Sequence, residues 1–380
     1  MIVKIGDVIS EYSVRNKFDE NIPVYSVTNE KGFCTGYFSK EVASKDKSTY
    51  KIVPRGYFAY NPSRINVGSV DWQKYEDRVI VSPLYVVFGV SDRLDRQYLL
   101  HYLKSDMMLS FIKEYATGSV RDNLKLADLG KFPINLRPVE EQRQIAATLD
   151  KIDELIAKRR QQLDKLDELV KSRFIEMFVE TDMVSEWPYH TIADVSNDMR
   201  TGPFGSALHH DEFVDSGVFV LGIDNAVENK FSYSRMRYIT EEKYQQLKRY
   251  TVHPGDVIIT IMGTVGRSAV IPVDMPKAIN TKHLACITPK AETIDAQFLS
   301  CAFQVHPDIR MQLQKQCNGA IMDGLNLTII KGLSFHIPPI SLQTQFVEFY
   351  EQTDKSKLAI QESLKRLEIL KKALMQEYFM

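Results

Sequence analysis

Arg137–Phe178 reads RPVEEQRQIAATLDKIDELIAKRRQQLDKLDELVKSRFIEMF. After Pro138 it contains neither proline nor glycine. Apolar residues fall at Ile145, Leu149, Ile152, Ile156, Leu163, Leu166, Val170 and Met177. The steps alternate four and three, with two skips of seven, which is one seam along one helix at coiled-coil period. About 40 residues of helix extend roughly 60 Å. A rod so charged on its other faces needs a partner to cover the seam.

The end of the chain supplies one. Pro339–Phe379, PISLQTQFVEFYEQTDKSKLAIQESLKRLEILKKALMQEYF, aligns with the first rod without a gap. Pro138 meets Pro339, Gln142 meets Gln343, Asp153 meets Asp354, and Leu163, Leu166 and Leu169 meet Leu364, Leu367 and Leu370. Glu176 and Phe178 meet Glu377 and Phe379, and upstream Gly118, Asp122, Leu124 and Leu126 meet Gly319, Asp323, Leu325 and Leu327. The chain is therefore an internal duplication, each copy a globular region followed by a long helix. The helix-pairing residues are Ile145, Leu149, Ile152, Ile156, Leu163, Leu166 and Val170 on the first rod, and Ile360, Leu364, Leu367 and Leu374 on the second.

Before each rod lie short β-rich runs punctuated by Gly, Pro, Asn and Asp. Examples are IPVYSV, GYFAY and RVIVSPLYVVFGV in the first copy, and GVFVLGI, HPGDVIITIMG and HLACITP in the second. Helical spacing follows in 95–115 and again in DAQFLSCAFQVHPDIRMQLQKQ. Each globular region is read as α+β. The domains are drawn as 1–136 (first globular domain), 137–180 (central long helix), 181–337 (second globular domain) and 338–380 (C-terminal long helix).

With 380 residues, 44 % of them hydrophobic and 26 % charged, the composition is that of an ordinary soluble protein with two or three cores. There is no apolar run long enough to span a bilayer, and the first residues do not read as a signal peptide, so a cytoplasmic protein is expected. Cys34, Cys286, Cys301 and Cys317 are dispersed and read as apolar thiols, not metal ligands. The net charge of −1 decides nothing about nucleic acid, because a footprint can be local; 1–136 carries a slight excess of about three positive charges.

Catalytic signatures are missing. Asn61-Pro62-Ser63 lacks the second proline and the aromatic residue of an amino-methyltransferase tetrapeptide. GTVGRS, from Gly263 to Ser268, does not have P-loop spacing. His209-His210-Asp211-Glu212 lacks metal-site spacing, and no metal is expected. Binding has more to work with, in loops rich in Gly, Asn, Ser and Arg. Their Arg, Asn and Lys suit base edges and phosphates, and their glycines let the backbone approach. The candidate DNA contacts are Arg64, Asn66, Arg121 and Lys125 in the first copy, and Arg200, Ser206, Thr264, Arg267, Asn280 and Lys282 in the second. A coiled-coil scaffold whose globular ends bind proteins is the alternative.

The layout resembles the specificity (S) subunits of type I restriction-modification enzymes. These carry a pattern similar to L-x-P-x-E-x-Q at a domain end, followed by a long helix, twice. Here it reads NLRPVEEQRQIAATLDKIDELI and HIPPISLQTQFVEFYEQTDKSKL, with Ser341 and Leu342 where the first copy has Glu140 and Glu141. The resemblance implies two target recognition domains joined by two long antiparallel coiled-coil helices, with an internal pseudo-two-fold. Each domain would read one half of a split double-stranded DNA target. The helices would set the spacing and dock two methyltransferase (M) subunits, and restriction (R) subunits would join that core. It also implies no catalytic residue and no cofactor on this chain. S-adenosylmethionine, Mg and ATP are expected on partner subunits only.

Overall fold

The structure is a computed structural model and describes residues 1–36, 46–115, 123–204, 207–317 and 325–379. The chain forms two compact units, one of residues 1–161 and 361–380, the other of 162–360. The division runs through both long helices, so each unit joins a globular region to part of each rod.

In the first unit, strands Ile9–Glu11, Val86–Val90, Phe58–Tyr60 and Val70–Trp72 make one antiparallel sheet in that order. Ile2–Lys4 pairs with Pro133–Asn135, the run that enters the first long helix. Two further pairs, Ser26–Thr28 with Gly32–Cys34 and Lys51–Pro54 with Arg78–Val81, lie outside the sheet. The helical spacing of 95–115 resolves into two helices, Arg96–Leu103 and Asp106–Tyr115. Ser105 makes the break: its hydroxyl donates to Tyr102 O (2.7 Å) and accepts from Met108 N (3.2 Å).

The second unit repeats this plan. Ser196–Thr201, Leu284–Pro289, Val257–Thr260 and Ser268–Val270 form the equivalent antiparallel sheet. Tyr189–Thr191 pairs with Ser334–His336, and helices Ala296–Val305 and Pro307–Cys317 follow. This copy adds a second sheet, Tyr238–Ile239, Val218–Leu221, Ala278–Asn280 and Thr251–Val252 in that order, whose central pair is parallel. Each unit is α+β, as expected.

The long helices are Val139–Phe178 and Ile340–Phe379, 40 residues each. In the first unit Asp153 pairs with Lys371 (2.5 Å) and Arg160 with Glu368 (2.9 Å), so numbers rise on one helix as they fall on the other. In the second unit Lys357 pairs with Asp167 and Phe174 meets Phe346, again antiparallel. Ile145, Leu149, Ile152 and Ile156 are buried, whereas Leu163, Leu166, Val170, Ile360, Leu364, Leu367 and Leu374 are half-buried. Of these, Leu374 packs against the first core and Val170 against the second.

The rods also enter the globular cores. Ile145, Ala146 and Leu149 belong to the first core, with Phe58, Tyr60, Phe88, Tyr98, Tyr102 and Phe379. The second core is built on Phe174, Phe178, Phe298, Phe335 and Phe346. Phe174 and Phe178 were missing from the seam, which jumps from Val170 to Met177, because there the helix faces a domain as well as a helix.

His306 lies in this second core, against Phe174 and Phe335, with Nδ1 accepting from Asp308 N (3.2 Å). Burial depresses its pKa below the ordinary histidine value, with Asp308 opposing and His336 adding to the shift. The unfolded chain therefore binds the proton more tightly, and stability falls as pH drops below about 6.5 toward the folded pKa. Urea midpoints should fall between about pH 7.5 and 5.5 in the native protein, with a shallower fall in His306→Gln. Equal slopes would show that His306 does not carry the effect.

Candidate nucleic-acid interface

The two sheets bring one hairpin to the same place in each unit. Phe58–Tyr60 and Val70–Trp72 are joined by NPSRINVGS, and Val257–Thr260 and Ser268–Val270 by IMGTVGR. Tyr60 opposes Val70 as Ile259 opposes Ser268. Asn61 N donates to Ser69 O (3.4 Å) as Thr260 N donates to Arg267 O (2.8 Å). Counting back from that closure, Asn66-Val67-Gly68 matches Thr264-Val265-Gly266. Gly68 and Gly266 hold φ of 86° and 81°, a left-handed turn that favours glycine.

In the first unit the Asn61 side chain starts the loop, with Oδ1 accepting from Ser63 N (3.1 Å) and Ser63 Oγ (2.9 Å). Gly68 has no Cβ, and a Cβ there would come within 2.5 Å of Asn29 Oδ1. The 28–31 turn can therefore pack close to the hairpin. Between them opens a cleft of about 610 Å³ lined by Asn29, Lys31, Asn61, Arg64, Val67 and Ser69 among others.

In the second unit Thr260 organises the hairpin. Its Oγ1 accepts from Arg267 N (3.0 Å) and donates to Thr264 O, while Thr260 O accepts from Gly266 N (2.9 Å). Met262, Thr264, Val265 and Arg267 remain exposed. Met262 Sδ touches His283 Nδ1 at 3.2 Å. His283 and Lys282 in turn line a cleft of about 600 Å³ with Arg235, Arg237, His209 and His210. Asp224 is its acidic residue, 2.5 Å from Arg237 and 4.0 Å from Arg235. Burial first, then Lys282 and Arg237, lower the pKa of His283. It is therefore neutral at pH 7 and offers a hydrogen-bonding edge, not a charge.

The residues singled out from sequence separate into three groups. Arg64, Thr264, Arg267 and Lys282 are exposed on the hairpins or the clefts, and Asn66 is half-buried on the first hairpin. Lys125 is exposed one residue beyond Leu124, which is fastened to the hairpin by Leu124 N to Pro62 O (3.2 Å) and Tyr60 Oη to Leu124 O (3.0 Å). Arg121 and Ser206 lie outside the described residues.

Arg200 and Asn280 are corrections, because the fold uses them internally. The Arg200 side chain is 13 % exposed and pairs with Asp256, which is 1 % exposed, at 2.6 Å. It also donates to Thr251 O (2.6 Å) and Thr288 Oγ1 (3.1 Å). Spending those bonds on DNA would leave a buried carboxylate unpaired. Asn280 is fully buried and donates to Leu284 O (2.9 Å), closing the turn that presents Lys282.

Sequence reasoning missed Lys31, Arg235 and Arg237, which line the two clefts. Arg235 and Arg237 left one faint signal, the alternating basic residues of SRMRY. Among the described residues no group of three or more His, Cys, Asp or Glu could hold a metal ion. No described helix is long and apolar enough to cross a membrane.

Comparison with known proteins gives a consistent result. Residues 2–168 and 186–371 match the family described as type I restriction modification DNA specificity domain. The type I restriction enzyme MjaVIII specificity subunit of Methanocaldococcus jannaschii is 22 % identical over 74 % of this chain and 69 % of its own length. The EcoBI specificity subunit of Escherichia coli is 22 % identical over 90 % of this chain and 78 % of its own. Among solved structures, a chain from work on complex assembly and conformational transition of the type I R-M system aligns over 100 % of this chain and 97 % of that one, with TM-score 0.62 and 16 % identity. The type I restriction-modification S subunit from M. genitalium aligns over 100 % and 96 %, with TM-score 0.57 and 15 % identity. At those identities the structures speak for the fold alone.

Proposed function

The chain belongs to the type I restriction modification DNA specificity family, as a specificity subunit with two target recognition domains, and we propose that each domain reads its half of a divided DNA target through the hairpin and cleft described above. The observation that carries this reading is the repeated hairpin. One backbone device, closed at a left-handed glycine, presents exposed basic and polar side chains in both units. NPSRINVGS and IMGTVGR differ in their contact residues, so the two half-sites differ in sequence.

Specificity subunits of type I systems work with methyltransferase and restriction subunits on DNA. Here the long helices set the distance between half-sites and dock two methyltransferase subunits, and restriction subunits join that core. The chain itself performs no chemistry. S-adenosylmethionine, Mg²⁺ and ATP act on the partner subunits, and the assembly works in the cytoplasm. Joining two weak readers on one rod raises affinity through effective concentration.

The test is DNA binding by the assembled complex across a salt series. Lys282→Ala should weaken binding to all sequences alike and lower the salt slope by about one. Arg267→Ala should cost about 1–3 kcal/mol and relax one base pair in one half-site. If both variants bind like the native complex, the second cleft is not the reading surface.

A further inference from the structure

Each hairpin exposes a valine at the same position. Val67 is 53 % exposed and Val265 is 38 % exposed, each directly before the left-handed glycine of its turn. Neither belongs to a hydrophobic core among the described residues. Polar side chains flank both, with Asn66 and Arg64 near Val67, and Thr264 and Arg267 near Val265. Val67 also lines the polar cleft of the first unit, beside Arg64 and Asn61.

Each valine is an apolar group among hydrogen-bonding side chains, following Arg64 and Asn66 on the first hairpin and lying between Thr264 and Arg267 on the second, and is held on a turn whose backbone is fixed by cross-hairpin hydrogen bonds. In the DNA major groove the base edges carry donors, acceptors and one apolar group, the 5-methyl of thymine. We infer that Val67 and Val265 each contact the 5-methyl group of a thymine, one in each half-site. This rests on the DNA-reading function proposed above and adds a base identity to it. The flanking Arg, Asn and Thr set the hairpin against phosphates and neighbouring bases. The valine then rejects cytosine and uracil at one position, because neither fills the space of the methyl.

The experiment uses the full chain assembled with its methyltransferase subunits and the tightest duplex selected from a random pool. Each thymine of both half-sites is replaced in turn by uracil, which removes only the methyl. We expect one position per half-site where native binding weakens about fourfold, the worth of one buried methylene-sized group. Val67→Ala should erase the uracil penalty in one half-site, and Val265→Ala in the other. Both valines are exposed, so neither variant should lower the melting temperature.

Absence of any uracil-sensitive thymine, or penalties that persist unchanged in the alanine variants, would overturn the assignment. So would a valine-dependent rise in 2-aminopurine fluorescence with no uracil penalty, which would mean that the valine wedges between bases instead. If the complex binds no duplex in a salt-dependent way, the DNA reading itself falls, an outcome separate from a complex that binds DNA but ignores the methyl.

Discussion

Replacing Gln142 with leucine is expected to cost the first unit about 3 kcal/mol, because it leaves buried backbone groups without partners. Gln142 is fully buried at the start of the first long helix. Its Oε1 accepts from Asp95 N (2.7 Å), and its Nε2 donates to Arg93 O (2.9 Å) and Arg137 O (2.7 Å). Asp95 in turn caps helix Arg96–Leu103, accepting from Gln97 N and Tyr98 N. One amide therefore ties the rod, the segment entering it and the cap of a domain helix. Gln343 makes the same three bonds, to Asp295 N (2.8 Å), Thr293 O (3.0 Å) and Pro338 O (2.8 Å). Gln343→Leu should cost the second unit a similar amount. For units of this size the melting temperature should drop by about 6–12 °C. Gln142→Glu keeps the acceptor but loses both donations, so it should not rescue. Unchanged melting in both leucine variants would mean that the clamp contributes nothing.

Phe174→Ala should cost about 3–5 kcal/mol, through lost burial and the cavity left behind. The Phe174 ring is fully buried, 5.4 Å from Phe298, 5.3 Å from Phe346 and 5.0 Å from Phe178. It joins the end of one rod, the start of the other and a domain helix within the second unit. Phe174→Leu keeps most of the volume and should cost less. Hydrogen exchange can localise the damage: the amides of Val257–Thr260 should lose protection while those of Phe58–Tyr60 keep theirs. Equal loss in both sheets, or none, would contradict a core local to the second unit.

Much of the architecture was legible because long helices and duplications leave periodic, alignable signals. Proline at the start, a periodic apolar seam and a gapless match of Gln142 with Gln343 were all readable as letters. The candidate site was less legible. Arg200 and Lys282 look alike in sequence, each a cation near glycine or a turn. Only the fold shows that Arg200 points at Asp256 and Lys282 at solvent. The repeated hairpin was hidden for a different reason. NPSRINVGS and IMGTVGR share only Val-Gly in register, yet equivalent strand pairing puts them in the same place.

Local order along the chain was enough to specify two copies, two rods, α+β domains and family membership, since these depend on spacing and composition. Tertiary structure alone decided which cations face water, that Gln142 and Gln343 are clamps, and that Phe174 belongs to a core. Those properties depend on which distant groups meet, and burial, pairing and close approach are set by neighbours that lie far away in sequence.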